Sequence, residues 1–337
     1  MLKFLGRVVG LLFVLGLLAG GLLAWGYARY TQKGPLETDT NVVIPEGASV
    51  AQIAAALTTA GVIEDPMIFE NFHKLELWIA GPDDRVQMRF GEFAMPAEVS
   101  AQGARQILID GPQVQRRLTV PEGLTTEQIL RLVNGAEGLE GELSVAVAEG
   151  DLLPETYFYS YGDSRESIVV RMRDDMAGVL DELWQQRAEG LPFETPEEAL
   201  VLASVVQEEA GNLQEMPRVA AVFINRLNRD MRLQADATVE YGITLGAGPL
   251  GRGLLRSELE TETAYNTYMI DGLPPTPIAN PGREAIEAVL QPAQSEDLYF
   301  VADGTGGHVF ARTLEEHERN VARWREIEAQ SQEDGGD

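Results

Sequence analysis

The sequence contains no cysteine and only three histidines in 337 residues. The absence of cysteine excludes disulfides, thiolate metal sites, a cysteine nucleophile and a lipoprotein anchor, and it leaves the redox compartment open. A catalytic metal site usually needs about three clustered ligands, and His73 is far in sequence from His308 and His317. The sequence also has no phosphate-binding loop and no dinucleotide fingerprint. We therefore expect no metal and no cofactor, and we interpret His308 and His317 as structural residues.

Basic residues are also scarce, since 26 Lys+Arg stand against 53 Asp+Glu and give a formal net charge of −27. Such a chain is a poor candidate for a nucleic-acid partner, because phosphate backbones require clustered Lys and Arg. Apolar residues make up 45% of the chain, which is ordinary for a packed globular protein and too much for a disordered one. The length allows roughly two domains.

An uncharged, apolar run extends from residue 8 to residue 28. At about 1.5 Å per residue it reaches about 32 Å, close to the hydrocarbon thickness of a bilayer. We predict a retained transmembrane helix over 8–28, after a cytoplasmic N-terminus at 1–7 and before a linker at 29–40. A cleaved signal peptide is the alternative, but the exit Ala28-Arg29-Tyr30 is a poor cleavage site. Basic residues before the run favour an inside N-terminus, with the bulk of the chain outside the membrane.

Two similar segments follow this run, Asn41-Val-Val-Ile-Pro-Glu-Gly47 and Thr119-Val-Pro-Glu-Gly123. In each, a β-rich stretch stops at Pro-Glu-Gly, and a Ser or Thr then caps an amphipathic helix. The repeat predicts small α+β modules, one over 41–110 and a second strand–turn–helix repeat with its linker over 111–150. Common strand-to-helix turns without a true repeat are the alternative.

Residues 151–330 predict a mixed, helix-rich domain, followed by an acidic tail over 331–337. A β-hairpin is expected between Leu298 and Phe310, on either side of a Gly-rich turn. Asn280-Pro281 predicts a helix start, with Asn as the cap and Pro at the first helical position. The fold class is therefore α+β, with an N-terminal transmembrane helix.

One predicted helix carries an acid within its apolar face. Thr195-Pro-Glu-Glu198 is a helix-start signature, and Gly211 supplies the stop. At about 100° per residue, Glu209 falls in the middle of the apolar stripe of this helix, whereas Glu208 falls at its edge. The stripe consists of Leu202, Val205 and Val206.

This position predicts an unusual acid at Glu209. Burial and the negative end of the helix dipole both raise the pKa of a carboxyl group. A carboxylic acid that is still protonated near neutral pH can protonate a glycosidic oxygen. The alternative is a structural ion pair between Glu209 and Arg218 or Arg226 of the next helix.

Several further motifs occur in a fixed order from this helix onward. They are Leu202-Ala-Ser-Val-Val-Gln-Glu-Glu209, Val219-Ala-Ala-Val-Phe-Ile-Asn-Arg226, Met231-Arg-Leu-Gln-Ala-Asp-Ala-Thr-Val-Glu-Tyr241, Tyr265-Asn-Thr-Tyr268, Gly272-Leu-Pro-Pro-Thr-Pro-Ile-Ala-Asn-Pro-Gly282 and Leu298-Tyr-Phe-Val-Ala-Asp303. With the N-terminal span and the Pro-Glu-Gly repeats, the series resembles the YceG-like family of endolytic murein transglycosylases over nearly the whole chain. The resemblance implies a LysM-like glycan-binding module over 41–110 and a catalytic transglycosylase domain over 151–330. It also implies a single-pass protein of the bacterial inner membrane, with the catalytic domain in the periplasm or outside.

The resemblance further implies a lyase that cuts the MurNAc-β-1,4-GlcNAc bond of nascent glycan strands. The C6 hydroxyl of the sugar replaces water, so that 1,6-anhydro-MurNAc ends form and strand elongation terminates beside membrane-bound peptidoglycan synthases. The family's catalytic Glu corresponds to Glu209, which acts alone as general acid and then base. The chain departs from the family pattern at Gln207, in place of Glu, and at Glu208, in place of Lys. Replacing that Lys by an acid should raise the pKa of Glu209 further.

Polar and aromatic side chains in the flanking motifs are candidates for binding sugar hydroxyl groups, N-acetyl groups and pyranose faces. They are Gln234, Asp236, Thr238, Tyr241, Tyr265, Asn266 and Tyr268. Two other functions stay open. One is a non-catalytic glycan-binding or divisome scaffold protein. The other is a muramidase that uses two carboxylates, Glu209 with Asp236 or Glu240.

Overall fold

The computed structural model describes residues 2–81 and 86–334, and within these ranges the chain is a mixed α+β protein with small sheets. It divides into two compact units. The first comprises residues up to 116 together with 137–140 and 158–163, and the second comprises 117–136, 141–157 and the chain from 164 onward. The second Pro-Glu-Gly segment therefore lies in the same unit as Glu209.

The first unit contains four helices and one antiparallel strand pair among its described residues. In chain order these are α1 (Leu2–Thr31), β1 (Thr40–Ile44), α2 (Val50–Thr59), α3 (Pro66–Ala80), β2 (Gly91–Met95) and α4 (Ala101–Asp110). Thr40 pairs with Met95 and Ile44 with Gly91. The helices cover this pair with an apolar core that includes Leu57, Phe69 and Phe93, all fully buried.

Helix α1 is apolar and long enough to cross a membrane over Phe4–Thr31, and the mean hydropathy of its most apolar 18-residue window is 2.4. It continues three residues beyond Ala28, the end of the predicted span, because its last turn packs on α3. The ring of Tyr30 is fully buried and stacks on Phe72, with centroids 4.9 Å apart. The first residues of the predicted linker are therefore helical.

Short elements link the N-terminal elements to the remainder of the chain. They are β3 (Gln115–Thr119), α5 (Thr126–Gly135) and β4 (Thr156–Ser160), and β3 and β4 form a second two-stranded sheet. The two predicted strand–turn–helix repeats are confirmed in their local structure. Ser49 and Thr125 each cap the following helix with a complete capping box. Gly47 and Gly123 adopt φ values of 70° and 79°, which glycine tolerates best.

The second unit is built mainly from helices packed around a central apolar helix. In chain order its remaining elements are α6 (Arg165–Gln185), α7 (Pro196–Glu209), α8 (Met216–Leu227), α9 (Asp236–Thr244), α10 (Arg256–Leu259), α11 (Arg283–Leu290), β5 (Tyr299–Ala302), β6 (His308–Ala311) and α12 (Leu314–Asp334). The predicted hairpin is confirmed, because β5 pairs antiparallel with β6. The backbone of the predicted acidic tail is helical to Asp334, and 335–337 lie outside the described residues.

The predicted helix start at Asn280-Pro281 is wrong. Helix α11 begins at Arg283, after Gly282 as its N-cap. Asn280 is fully buried, and its side chain bonds to segments far away in sequence: Leu152 N–H donates to its Oδ1 over 2.9 Å, and its Nδ2 donates to Leu124 O over 2.9 Å. Because the Asn280 side-chain amide forms these long-range bonds, it does not cap a helix as the Asn-Pro pattern predicts.

Candidate active site

Glu209 is the last residue of α7, as the sequence predicts. The helix begins with the predicted capping box of Thr195 and Glu198, and Ala210 is its C-cap. A side chain on Gly211 would place its Cβ 2.7 Å from Gly306 O, so glycine is needed where the chain leaves the helix. The predicted apolar stripe of Leu202, Val205 and Val206 is fully buried. It anchors the helix that carries Glu209.

The side chain of Glu209 lines an open cavity of about 380 Å³. Three of the predicted substrate-binding residues, Gln234, Asp236 and Tyr268, line the same cavity. Its other lining residues are Phe223, Arg226, Leu233, Tyr299, Phe300, Leu314 and His317. The structure therefore brings an acid, an amide, a phenol and a guanidinium around one space.

The environment of Glu209 raises its pKa to about 7. Burial is the largest cause, because it disfavours the charged carboxylate, and the nearby Asp236 carboxylate acts in the same direction. The backbone N–H groups of Ala237 and Asp236 and the His308 side chain act in the opposite direction. Ala237 N–H donates to Glu209 Oε1 over 3.5 Å. Burial therefore outweighs the stabilisation that the start of α9 gives to the charged form.

The alternative ion pair of Glu209 with an arginine is not what the structure shows. Arg226 lines the cavity, but its Nε donates to Leu298 O over 2.7 Å and its Nη1 to Leu233 O over 2.6 Å. Arg218 instead pairs with Asp297, over 2.7 Å. Across the part of the chain that the structure describes, Glu209 forms no salt bridge with either arginine. The acid is left available to a ligand.

Asp236, Tyr268 and Gln234 are held in place by local bonds. Asp236 is the first residue of α9, and the Tyr268 hydroxyl donates to its Oδ1 over 2.6 Å. Gln234 has φ of 53°, a left-handed conformation that is uncommon outside glycine. Its N–H donates to Thr267 O over 3.2 Å. Such strain occurs preferentially at functional sites.

Two other predicted substrate-binding residues, Thr238 and Asn266, are fully buried and do not line the cavity. The Thr238 hydroxyl donates to Ala235 O over 2.7 Å. Asn266 Nδ2 donates to Thr261 O over 2.6 Å, and the N–H of Tyr268 donates to Asn266 Oδ1 over 3.0 Å. Both side chains therefore hold the backbone that supports the cavity. Asn266 bonds to loop carbonyls, not to Glu209.

The remaining predicted residues, Tyr241 and Tyr265, belong to the surroundings of a second cavity. Tyr241 lines this cavity of about 310 Å³ together with Glu208 and Glu240. The ring of Tyr265 meets that of Tyr241 edge-on, with centroids 4.9 Å apart. The two adjacent acids at the end of α7 therefore face different cavities.

The environment of Glu208 raises its pKa, which its position at the edge of the apolar stripe does not predict. Its side chain is exposed but lines the second cavity. Partial loss of hydration there, together with repulsion from Glu209 and Glu240, raises the pKa of Glu208 to about 7. We expected Glu208 to raise the pKa of Glu209. In the structure, repulsion between the two carboxylates raises the pKa of Glu208, whereas burial and then Asp236 are what raise the pKa of Glu209.

Three polar or charged residues of the cavity are not among the site candidates that the sequence indicates: Arg226, Tyr299 and His317. The sequence indicates Arg226 only as an ion-pair partner and His317 only as a structural residue. They come from α8, β5 and α12, so nothing in their local patterns places them near Glu209. His308 does have the expected structural contact, since its Nδ1 lies 2.8 Å from Glu215 Oε2. Within residues 2–81 and 86–334, no cluster of three or more acidic or His side chains could hold a metal ion.

Comparisons with known proteins identify the family. The profile of the YceG-like family matches residues 42–323. An endolytic murein transglycosylase of Streptococcus pneumoniae is 30% identical over 94% of this chain, and the chain spans 64% of that relative. An endolytic murein transglycosylase of Bacillus subtilis is 27% identical over 90% of both chains. The crystal structure of a yceG-like protein of Listeria monocytogenes has a TM-score of 0.50 and 28% identity, covering 83% of this chain and 98% of that one. The chain therefore belongs to the YceG-like family.

Proposed function

We propose that this protein is a membrane-anchored endolytic lytic transglycosylase of peptidoglycan. It cuts the MurNAc-β-1,4-GlcNAc bond of nascent glycan strands and leaves 1,6-anhydro-MurNAc ends. The observation that carries this proposal is Glu209, a carboxyl group with a pKa of about 7 that lines an open cavity and has no cationic partner among the described residues. The names of the pneumococcal and Bacillus relatives support the same substrate class.

In the proposed reaction, Glu209 serves first as an acid and then as a base. Its carboxyl proton passes to the glycosidic oxygen as the bond from that oxygen to C1 of MurNAc breaks, so the GlcNAc product leaves with a hydroxyl group. The C6 hydroxyl of MurNAc then bonds to C1, and its proton returns to Glu209. A pKa close to the working pH suits a group that must both give and take a proton.

Neighbouring groups orient this acid and its substrate. Ala237 N–H binds Oε1 of Glu209, which leaves Oε2 to face the glycosidic oxygen. The Asp236 carboxylate stabilises the positive charge that develops at C1 in an oxocarbenium-like transition state. Gln234 and Tyr268 bind sugar polar groups, Tyr241 and Tyr265 provide aromatic surface farther along the strand, and Thr238 and Asn266 support the backbone.

The second candidate function is a two-carboxylate muramidase. It is favoured by one observation, namely that Asp236 lines the same cavity as Glu209. Glu240, the other acid considered, lines the second cavity. A hydrolase transfers the sugar to water, so its products carry reducing ends, and product chemistry separates the two functions.

The test uses the full chain in detergent with peptidoglycan glycan strands and mass spectrometry of the products. We expect 1,6-anhydromuramyl ends from the wild type and a loss of at least about a hundredfold in Glu209→Gln, the usual range for a general acid. Glu197→Gln, an exposed acid in the first turn of α7, is the matched control and should cleave normally. Reducing ends would indicate the muramidase. Intact strands would indicate the non-catalytic glycan-binding or divisome scaffold protein.

We further propose that α1 is retained as an anchor with its N-terminus inside. Its surface is exposed over residues 4–25, as expected of a helix in lipid. Because the chain has no cysteine, single substitutions report the side of the membrane. A membrane-impermeant maleimide should label Met67→Cys but not Leu2→Cys in intact spheroplasts, and should label both after lysis. Recovery of the protein in the soluble fraction would instead indicate a cleaved signal peptide.

The anchor confines the enzyme to glycan near the membrane, where synthases extend new strands, and we propose that its cleavage terminates that growth. We also propose that the LysM-like module over 41–110 binds glycan. An open cavity of about 960 Å³ and the 80% exposed Trp78 support this role, since aromatic rings stack on sugars. In the Glu209→Gln background, Trp78→Ala should weaken binding to insoluble peptidoglycan, whereas Met67→Ala, at an exposed position three turns away on α3, should not. Equal binding by both variants would contradict the proposal that the module binds glycan.

A further inference from the structure

His317 has an unusual position in the cavity that contains Glu209. It lies on α12, and its side chain is half-buried and lines the cavity. Its Nδ1 atom is fully buried and has no hydrogen-bond partner. Nε2 is the other polar atom of an imidazole, so it is the ring nitrogen left to bind a ligand in the cavity. Buried polar atoms without a partner are rare in folded proteins and call for an explanation.

The orientation of this ring is fixed by stacking. The His317 imidazole lies against the Tyr299 ring, with centroids 5.1 Å apart and planes inclined by 21°. The guanidinium carbon of Arg226 lies 5.3 Å from the centroid of the same Tyr299 ring, and Arg226 is itself held by Leu298 O and Leu233 O. The ring is therefore positioned before any ligand arrives.

The surroundings favour one protonation state. An imidazolium carries N–H on both nitrogens, and here the Nδ1–H would be buried without an acceptor, which is costly. Burial and the charge of Arg226 lower the pKa of His317, against a weaker opposing effect of Glu318. The other charged or titratable groups that line the same cavity are Glu209, Asp236, Tyr268 and Tyr299. Between the neutral tautomers, an unpaired buried acceptor is less unfavourable than an unpaired buried N–H, so the proton is on Nε2.

We propose that His317 is a substrate-binding residue of the Glu209 site, a neutral imidazole whose Nε2–H donates a hydrogen bond to a carbonyl oxygen of the glycan strand, such as that of an N-acetyl group. A carbonyl oxygen fits this donor because it only accepts hydrogen bonds. Neutrality also matters at this place, since a second cation beside Arg226 would lower the pKa of Glu209 and favour its carboxylate form. The inference deepens the proposed function and rests on it for the identity of the substrate.

The first test reads the tautomer directly. The chain contains three histidines, so the full-length protein in detergent micelles, labelled with ¹⁵N-histidine, gives a simple imidazole spectrum, and His317→Phe assigns the signals. We expect the Nε2–H tautomer and a protonation midpoint below that of an ordinary histidine. In the Glu209→Gln variant, adding glycan strands should shift the Nε2–H signal. An Nδ1–H tautomer, or protonation with an ordinary midpoint, would overturn the inference even if the enzyme cleaves glycan normally.

The second test distinguishes a substrate-binding role of His317 from a purely structural one. His317→Phe keeps the stacked ring and removes both nitrogens, so kcat/KM should fall about tenfold, the loss of one hydrogen bond to an uncharged group. His317→Gln restores an N–H donor and should recover at least a third of the activity, and Arg319→Ala, an exposed neighbour on α12, should match the wild type. The pH midpoint of cleavage should stay unchanged in all three. Full activity in His317→Phe, or a moved midpoint, would contradict the inference, whereas an inactive wild type would contradict the proposed function.

Discussion

The backbone N–H of Ala237 donates a hydrogen bond to Oε1 of Glu209 over 3.5 Å. The positive end of the α9 dipole therefore faces a carboxyl group at the negative end of α7. The two helix ends act oppositely on the acid, and burial decides the balance in favour of the protonated form. The pKa of Glu209 is thus set by several nearby groups that can be changed one at a time.

The pH dependence of cleavage should follow the pKa of Glu209. The proposed reaction needs the protonated acid, so activity should fall as pH rises through about 7. Asp236 raises this pKa and His308 lowers it. Asp236→Asn should therefore move the alkaline midpoint to lower pH, and His308→Gln should move it to higher pH. The midpoint, not the maximal rate, is the measurement, and a shift of both variants in the same direction would show that Glu209 does not control the profile.

Glu208 should make the folded chain less stable as pH rises. Its folded pKa of about 7 lies above the ordinary value of 4.5, so the folded state binds the proton more tightly than the unfolded state. The resulting stabilisation is complete below about pH 4.5 and is lost as pH rises through about 7. Glu208→Gln mimics the protonated form, so its Tm relative to the wild type should be higher at pH 8 than at pH 5.

Glu197→Gln is the control for this measurement, because Glu197 is exposed on the same helix. Its Tm difference from the wild type should be the same at both pH values. Glu209 titrates in the same range, so some pH dependence should persist in Glu208→Gln. An equal Tm difference for Glu208→Gln at pH 5 and pH 8 would contradict the raised pKa.

Because the backbone is strained at Gln234, glycine substitutions at Gln234 and at Ala235 should have opposite effects on stability. Gln234 has φ of 53° and Ala235 has φ of −98°. Glycine adopts positive φ without the strain that other residues meet, so Gln234→Gly should be about 1 kcal/mol more stable than Gln234→Ala. Ala235→Gly should instead destabilise the chain by about 1 kcal/mol. Urea unfolding measures all three, and equal stability of the two Gln234 variants would contradict the strain.

The sequence predicts those parts of the fold and site that depend on short-range signals. The capping boxes at Ser49 and Thr125 and the buried face of α7 follow from neighbours within one or two turns. Glu208 and His317 could not be assigned in this way, because their partners Glu240 and Tyr299 come from other elements. Long-range contacts also determine where α11 begins.

Asn280 forms several long-range hydrogen bonds within the unit that contains Glu209, and their contribution to stability can be measured. Its Oδ1 accepts from Leu152 N–H, and its Nδ2 donates to Leu124 O, each over 2.9 Å. Its backbone oxygen also accepts from Gly123 N–H over 3.1 Å. Asn280→Ala leaves the buried Leu152 N–H without its acceptor and removes the bonds of Nδ2, whereas Leu124 O keeps the backbone N–H of residue 280 as a donor. The free energy of unfolding should therefore fall by about 2 kcal/mol.

Asn280→Asp separates the two losses, because it keeps the oxygen that accepts from Leu152 N–H and removes the Nδ2 donor. Its new carboxylate would face the Glu149 carboxylate, which lies 3.2 Å from Nδ2 in the wild type. Repulsion between two carboxylates grows as both lose their protons. The Asp variant should therefore be about as stable as the Ala variant at pH 5 and less stable than the Ala variant at pH 8. The midpoint of urea unfolding should fall in both variants with an unchanged slope. If the Asp variant keeps wild-type stability at pH 8, the contact between Asn280 and Glu149 does not hold this part of the fold together.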